Sequence, residues 1–148
     1  MKRAAGEQST PVLRQVPSRV RKNLSLLFVV ASAAIVTGTV VTATGPHAGD
    51  EDAVRFGFEL TSVARVHSGT VIITIALIVY LAWKTVKDSS FLTIREPIQT
   101  LLFAAVAQAA VGYTQYFTGV PAALVAAHIV GSLFFFVAVL NILLSPQT

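Results

Sequence analysis

Residues 121–145 read PAALVAAHIVGSLFFFVAVLNILLS, a stretch without a single Asp, Glu, Lys or Arg. An α-helix crosses about 30 Å of hydrocarbon with roughly 20 apolar residues, so this segment reads as a membrane span. Three others have the same character, at about Leu24 to Ala43, Phe58 to Trp83 and Pro97 to Phe117. The whole 148-residue chain is 54% hydrophobic and 12% charged, with mean hydropathy +0.71. That is too apolar for an ordinary soluble domain of this size. Backbone polar groups in lipid must be satisfied within each helix. The expected fold is therefore all-α, an integral membrane four-helix bundle running up-down-up-down. Residues 1–22 read as a polar basic tail interrupted by Pro11 and Pro17, and residues 23–148 as the bundle. The connection Thr118-Gly119-Val120 is short enough to force the last two helices to be antiparallel neighbours.

The net charge of +4 and the pI of 9.9 are explained by where the cations stand, and nucleic acid is not the expected partner. Lys2, Arg3, Arg14, Arg19, Arg21 and Lys22 precede the first span, and Lys84, Lys87 and Arg95 fill the second loop. The first loop carries Asp50, Glu51 and Asp52 against Arg55. By the positive-inside rule both termini are cytoplasmic in a multi-pass plasma-membrane protein, and the acidic loop is external. The cationic side adds weak attraction to anionic lipid. Tyr80 and Trp83 would mark the inner interface, and Tyr113, Tyr116 and Phe117 the outer one. Cysteine is absent, which excludes disulfides, thiolate ligands and iron–sulfur clusters. The first apolar run lacks a small-residue cleavage site, so a cleavable signal peptide is not expected.

An ionisable residue at membrane depth is by default a candidate functional residue. His67 and His128 lie on the second and fourth spans, which run in the same direction. Counted from the starts of their spans, they sit about 13 and 10 Å deep at 1.5 Å per residue. Two imidazoles at matched depth on parallel helices are what a planar metal cofactor held between axial nitrogens requires. A zinc or copper site would want three or four ligands, and the spans supply no further His, Cys or deep carboxylate. Haem, with its iron on His67 and His128, is the expected cofactor. The competing reading is that each histidine only hydrogen-bonds between helices.

The face around His128 includes Leu124, Val125, Gly131, Ser132 and Phe135, so that Gly131 and Ser132 would leave room beside the imidazole. The His67 face carries Leu60, Val63, Ala64, Val71 and Thr74. Small residues recur at Ala34, Gly38 and Thr42 and at Ala104, Gln108 and Gly112. They suit either close helix packing or space for a flat macrocycle. Gln108 and Gln115, seven apart, share one face of the third span; they bond between helices or to a ligand. His47 lies in a turn-rich outer loop, as a solvated turn histidine or as a ligand-binding residue. Arg65 is rotated about 160° from His67, and either snorkels along lipid or faces a second protein module. Arg55 and Glu59 are expected to form a surface pair of little energetic weight.

Several strings resemble one family. Thr37-Gly38-Thr39-Val40-Val41-Thr42-Ala43-Thr44-Gly45-Pro46-His47-Ala48-Gly49-Asp50 is similar to the first span and outer loop of the haem A synthases, particularly actinobacterial members. So are Val63-Ala64-Arg65-Val66-His67, the run from Gln108 to Pro121, and Ala127-His128. The likeness spans roughly residues 24–145. Such proteins usually consist of two related four-helix bundles and oxidise a methyl group of haem O to the formyl group of haem A for terminal oxidases. The chain resembles one bundle, more the C-terminal one, which in the family holds haem b through two histidines that correspond to His67 and His128. The resemblance implies that the His47 loop lies over the propionate edge of the haem. It also implies that Arg65 faces a second four-helix bundle, in a separate chain or another copy of this one, which would receive haem O as substrate. The other bundle of the family carries a glutamate three residues before its first histidine, where this chain has Ala64, and the outer-loop cysteine pair of some members is missing. Catalysis is thus expected to need a second bundle. The alternative is a non-catalytic cytochrome b-type electron-transfer subunit.

Overall fold

The computed structural model describes residues 17–46, 52 and 54–144. They form four long helices, α1 Ser18–Thr44, α2 Leu60–Lys87, α3 Arg95–Phe117 and α4 Ala122–Leu144, with a 3-10 turn at Ser89–Ile94. There is no strand among the described residues. Three helices, α1, α2 and α4, are long and apolar enough to cross a membrane. The third expected span differs. At 23 residues α3 is as long as α4, but Gln99, Gln108 and Gln115 lower its hydropathy below that of the others. Amides in a helix of this kind need partners inside the bundle. The N-terminal boundary also moves: α1 begins straight after Pro17, so Arg19, Arg21 and Lys22 belong to its first turns rather than to the tail. A proline just before a helix suits its fixed φ and missing N–H.

Each helix turns one seam inward, with alternating steps of four and three residues. On α1 the buried positions are Val20, Leu24, Leu27, Ala31 and Ala34, and on α2 Thr74, Ile78, Leu81 and Thr85. The 3-10 turn and α3 bury Phe91, Ile94, Ile98, Leu101 and Ala105, and α4 buries Val125, Val139 and Ile142. Arg19 at the start of α1 meets Asp88 just past the end of α2, Nη1 to Oδ2 at 3.2 Å. These two helices are therefore antiparallel, and the α1 start, α2 end, α3 start and α4 end gather at one end of the bundle. The solid core lies there, with Phe91 at its base and Phe28 against Phe136 at 5.7 Å between ring centroids. Dispersion and close packing hold this core together.

The α2–α3 connection is built around Asp88. Its Oδ1 accepts from the Ser90 amide at 3.0 Å and from the Ser90 hydroxyl, which bends the chain into the 3-10 turn and drives Phe91 and Ile94 inward. Lys84 lays its ammonium 5.7–5.9 Å from the ring centres of Trp83, Tyr80 and Phe91. Tyr80 and Trp83 are exposed there.

The Ser90 hydrogen bonds, then burial in opposition, then Arg19 and Lys84, leave the Asp88 carboxyl below its ordinary value. A depressed carboxyl stabilises the fold above its unfolded pKa, and the contribution disappears as pH falls through the folded one. Asp88→Asn should accordingly lower the thermal midpoint at neutral pH. The gap to the parent chain should close below about pH 4. Thermal melts in detergent at both pH values check this, and an equal gap at both would remove the ionised form from the account.

The opposite end closes differently. The α3–α4 turn has positive φ at Gly119, 82°, and at Val120, 58°. Val120 is a β-branched residue held in the left-handed region, where its N–H donates to the Gln115 carbonyl at 2.7 Å. Arg55 donates to the Gly45 carbonyl, and Glu59 accepts from Thr61 and from Ser62. Arg55 and Glu59 thus bond to near neighbours and not to each other, contrary to the expected surface pair.

Candidate functional site

The seams change character half-way along. Beyond Ala34 on α1, before Thr74 on α2, beyond Ala105 on α3 and before Val139 on α4, the only buried helical residue is Val125. Continuing the same four-three steps places Gly38 on α1, His67 and Val71 on α2, Gln108, Gly112 and Gln115 on α3, and His128 and Ser132 on α4. One half of the bundle is packed solid, and the half bearing both histidines is incompletely filled.

His67 points from α2 towards α1. A Cβ placed on Gly38 would come within 3.1 Å of its Cε1, so the glycine is what lets the imidazole lie against α1. Thr37 Oγ1 is 3.2 Å from Nδ1 and 2.9 Å from Thr70 Oγ1. The Thr37 hydroxyl also donates to the Ala33 carbonyl at 2.9 Å, which leaves the Thr70 hydroxyl, shared between Thr37 Oγ1 and the His67 carbonyl at 2.7 Å, as the donor between the two threonines. In the tautomer with a protonated Nδ1, the same Thr37 oxygen accepts from the ring. That tautomer leaves the Nε2 lone pair free for a metal.

His128 mirrors this arrangement on the other helix pair. A Cβ on Gly112 would come within 3.0 Å of its Cε1. Gln108, four residues before Gly112 as Ala34 is four before Gly38, packs its amide on Gly131. A Cβ there would fall 1.9 Å from the Gln108 Nε2. Hydrogen bonding on this side is incomplete. His128 Nδ1, Gln108 Oε1 and Gln115 Oε1 are buried without a partner, and a buried polar atom left so costs about 1–3 kcal/mol.

The two imidazoles lie close together, with ring centroids 6.4 Å apart and planes at 81°. Two imidazoles bonded to opposite sides of one ion, at about 2 Å each, have centroids about 6 Å apart. No group of three or more His, Cys, Asp or Glu is placed to hold a metal among the described residues. Such a donor set suits an ion that brings its own equatorial ligands and suits tetrahedral zinc poorly. Outward of the pair lies a small open cleft lined by Thr42, Pro46, Leu60, Gln115, Tyr116 and Val120 among others. It continues the underfilled half towards the Gly119 turn.

Of the residues singled out in the sequence, His67, His128, Gln108, Gly131 and Gln115 belong to this half of the interior. Ser132 is also on the seam, but its hydroxyl is occupied by the Ile129 carbonyl at 2.8 Å. His47 lies outside the described residues. Arg65 is exposed on the outer surface of α2 and not buried in the span. Sequence reasoning missed Thr37 and Thr70 as site residues. Threonines in apolar helices ordinarily bond back to their own carbonyls, and nothing in the sequence separates these two from the rest. Comparison with protein-family models, with curated proteins and with solved structures finds no match to this chain.

Proposed function

We propose that this chain is a haem-binding membrane bundle, with His67 and His128 as axial ligands, of the kind that forms half of a haem A synthase. It runs up-down-up-down with α3 as a fourth span and both termini cytoplasmic. The observation that carries the haem reading is the 6.4 Å separation of two imidazoles in the half of the bundle whose seam residues are only part-buried. When bound, haem b supplies one-electron chemistry. The chain's own residues do the rest. Thr37 fixes the His67 tautomer, Gly38 and Gly112 give the imidazoles their positions, and the apolar seams keep water out. The outer cleft, lined by Thr42, Pro46 and Gln115, would take the edge of the macrocycle.

In this reading the bundle passes electrons to or from a second four-helix bundle, a separate chain or another copy, in which haem O is oxidised. The exposed Arg65 face of α2 is the proposed seam. Ala64, one turn outward of His67 where the related catalytic bundle carries glutamate, favours a carrier over a catalyst. It also supports the second reading, a simple cytochrome b-type electron-transfer subunit.

The deciding experiment is a reduced-minus-oxidised visible spectrum of the detergent-purified chain after haem b is added. A sharp low-spin signal is the expected result. A protein that stays colourless returns both histidines to helix packing. Co-expression with a haem O source then separates the two functions, because only participation in the synthase yields haem A on extraction.

A further inference from the structure

A metal-bound imidazole carries its proton on the nitrogen that faces away from the metal, and that N–H is almost always given to an acceptor. His67 has such an acceptor in Thr37. His128 does not: its Nδ1 is buried and unpartnered. A buried acceptor without a donor stands close by, the Oε1 of Gln108. Its amide rests on Gly131, one helical turn from His128 on the same helix, and the imidazole packs on Gly112, one turn from Gln108 on α3. The other orphan, Gln115 Oε1, is no further along α3 from the ring, three residues past Gly112 against four before it for Gln108, but Gln115 lines the outer cleft with Val125, whereas the ring lies beside the Gln108 backbone carbonyl. The second lone pair of that carbonyl makes it the competing acceptor, and it stays in place when the side chain is replaced.

We infer that Gln108 accepts the ring N–H of His128 when that imidazole holds a metal, and is a positioning residue that strengthens this axial ligand. The inference rests on the haem reading above. It assigns Gln108 to the histidine rather than to the macrocycle, and Gly131 to making room for the amide. It also makes the two ligands unequal, one held by a hydroxyl that is itself tied to two helices, the other by a single movable amide.

The test uses the full chain loaded with haem b, with the reduction potential and the low-spin spectrum as readouts. Gln108→Leu keeps the bulk and removes the acceptor, so the potential should rise while the spectrum stays low-spin. Gly131→Ala crowds the amide out without changing Gln108 and should move the potential the same way. Gln108→Glu keeps an acceptor in place and should leave the potential at or below that of the parent. Unmoved potentials in the first two variants, with haem retained, would overturn this assignment alone. A parent chain that takes up no haem would overturn it together with the haem reading.

Discussion

Alanine at His128 or at His67 should leave a helical, membrane-inserted protein that no longer retains low-spin haem. Among the described residues His67 and His128 are the two imidazoles of the site, so losing either would remove one of the two ligands proposed for the iron. Losing an outer partner of a metal ligand costs about 10–100-fold in affinity, and losing the ligand itself should cost more than about 100-fold. The fold should survive because neither ring belongs to the solid core. That core runs from Val20 and Phe91 to Ala105 and Val139 at the far end of the bundle. In His67→Ala the Thr37 and Thr70 hydroxyls still bond one another, so no new orphan is created. Soret intensity and far-UV circular dichroism on the same samples separate the two effects. Equal haem content in both variants and the parent would refute the ligand assignment, and a collapse of helicity would show that the histidines hold the bundle together.

Much of this arrangement is written in the chain. The charge-free run around His128 and the matched depths of His67 and His128 follow from counting at 1.5 Å per residue, because a membrane fixes the frame in which depth is measured. Small residues at Gly38 and Gly112 marked the helix faces that meet the imidazoles. The hydropathy deficit of α3 is legible as well, once its glutamines are weighed against the other helices. Other features were not. The shift from large apolar to small and polar residues at one height on all four seams depends on the antiparallel alignment of the helices. The roles of Thr37 and Thr70 depend on which neighbouring hydroxyl takes which hydrogen, and a sequence does not carry that. The Ser89–Ile94 turn was hidden for a related reason: Asp88 organises it through local hydrogen bonds in a loop that reads simply as basic.

Gly38 and Gly112 allow a test in which stability and binding should move in opposite directions. Alanine is favoured over glycine inside a helix by about 0.8–1.0 kcal/mol in water, so Gly38→Ala and Gly112→Ala should not loosen α1 or α3. Yet the added Cβ would stand 3.1 Å from the His67 ring in one case and 3.0 Å from the His128 ring in the other. A shift of a few tenths of an ångström per ring is enough to weaken two bonds that must meet one iron. The alanine variants should bind haem more weakly, and Gly38→Val or Gly112→Val, whose branched side chain reaches further into the ring, should lose it almost entirely. Gly69 provides the control, since it lies on α2 two residues from His67 with nothing within 4 Å of its added Cβ. Gly69→Ala should keep the full haem signal and gain the same helix propensity. Haem titrations with thermal melts of the haem-free proteins read both quantities. If all three alanine variants bind haem like the parent, the glycines are ordinary packing positions and the imidazoles do not depend on them for their place.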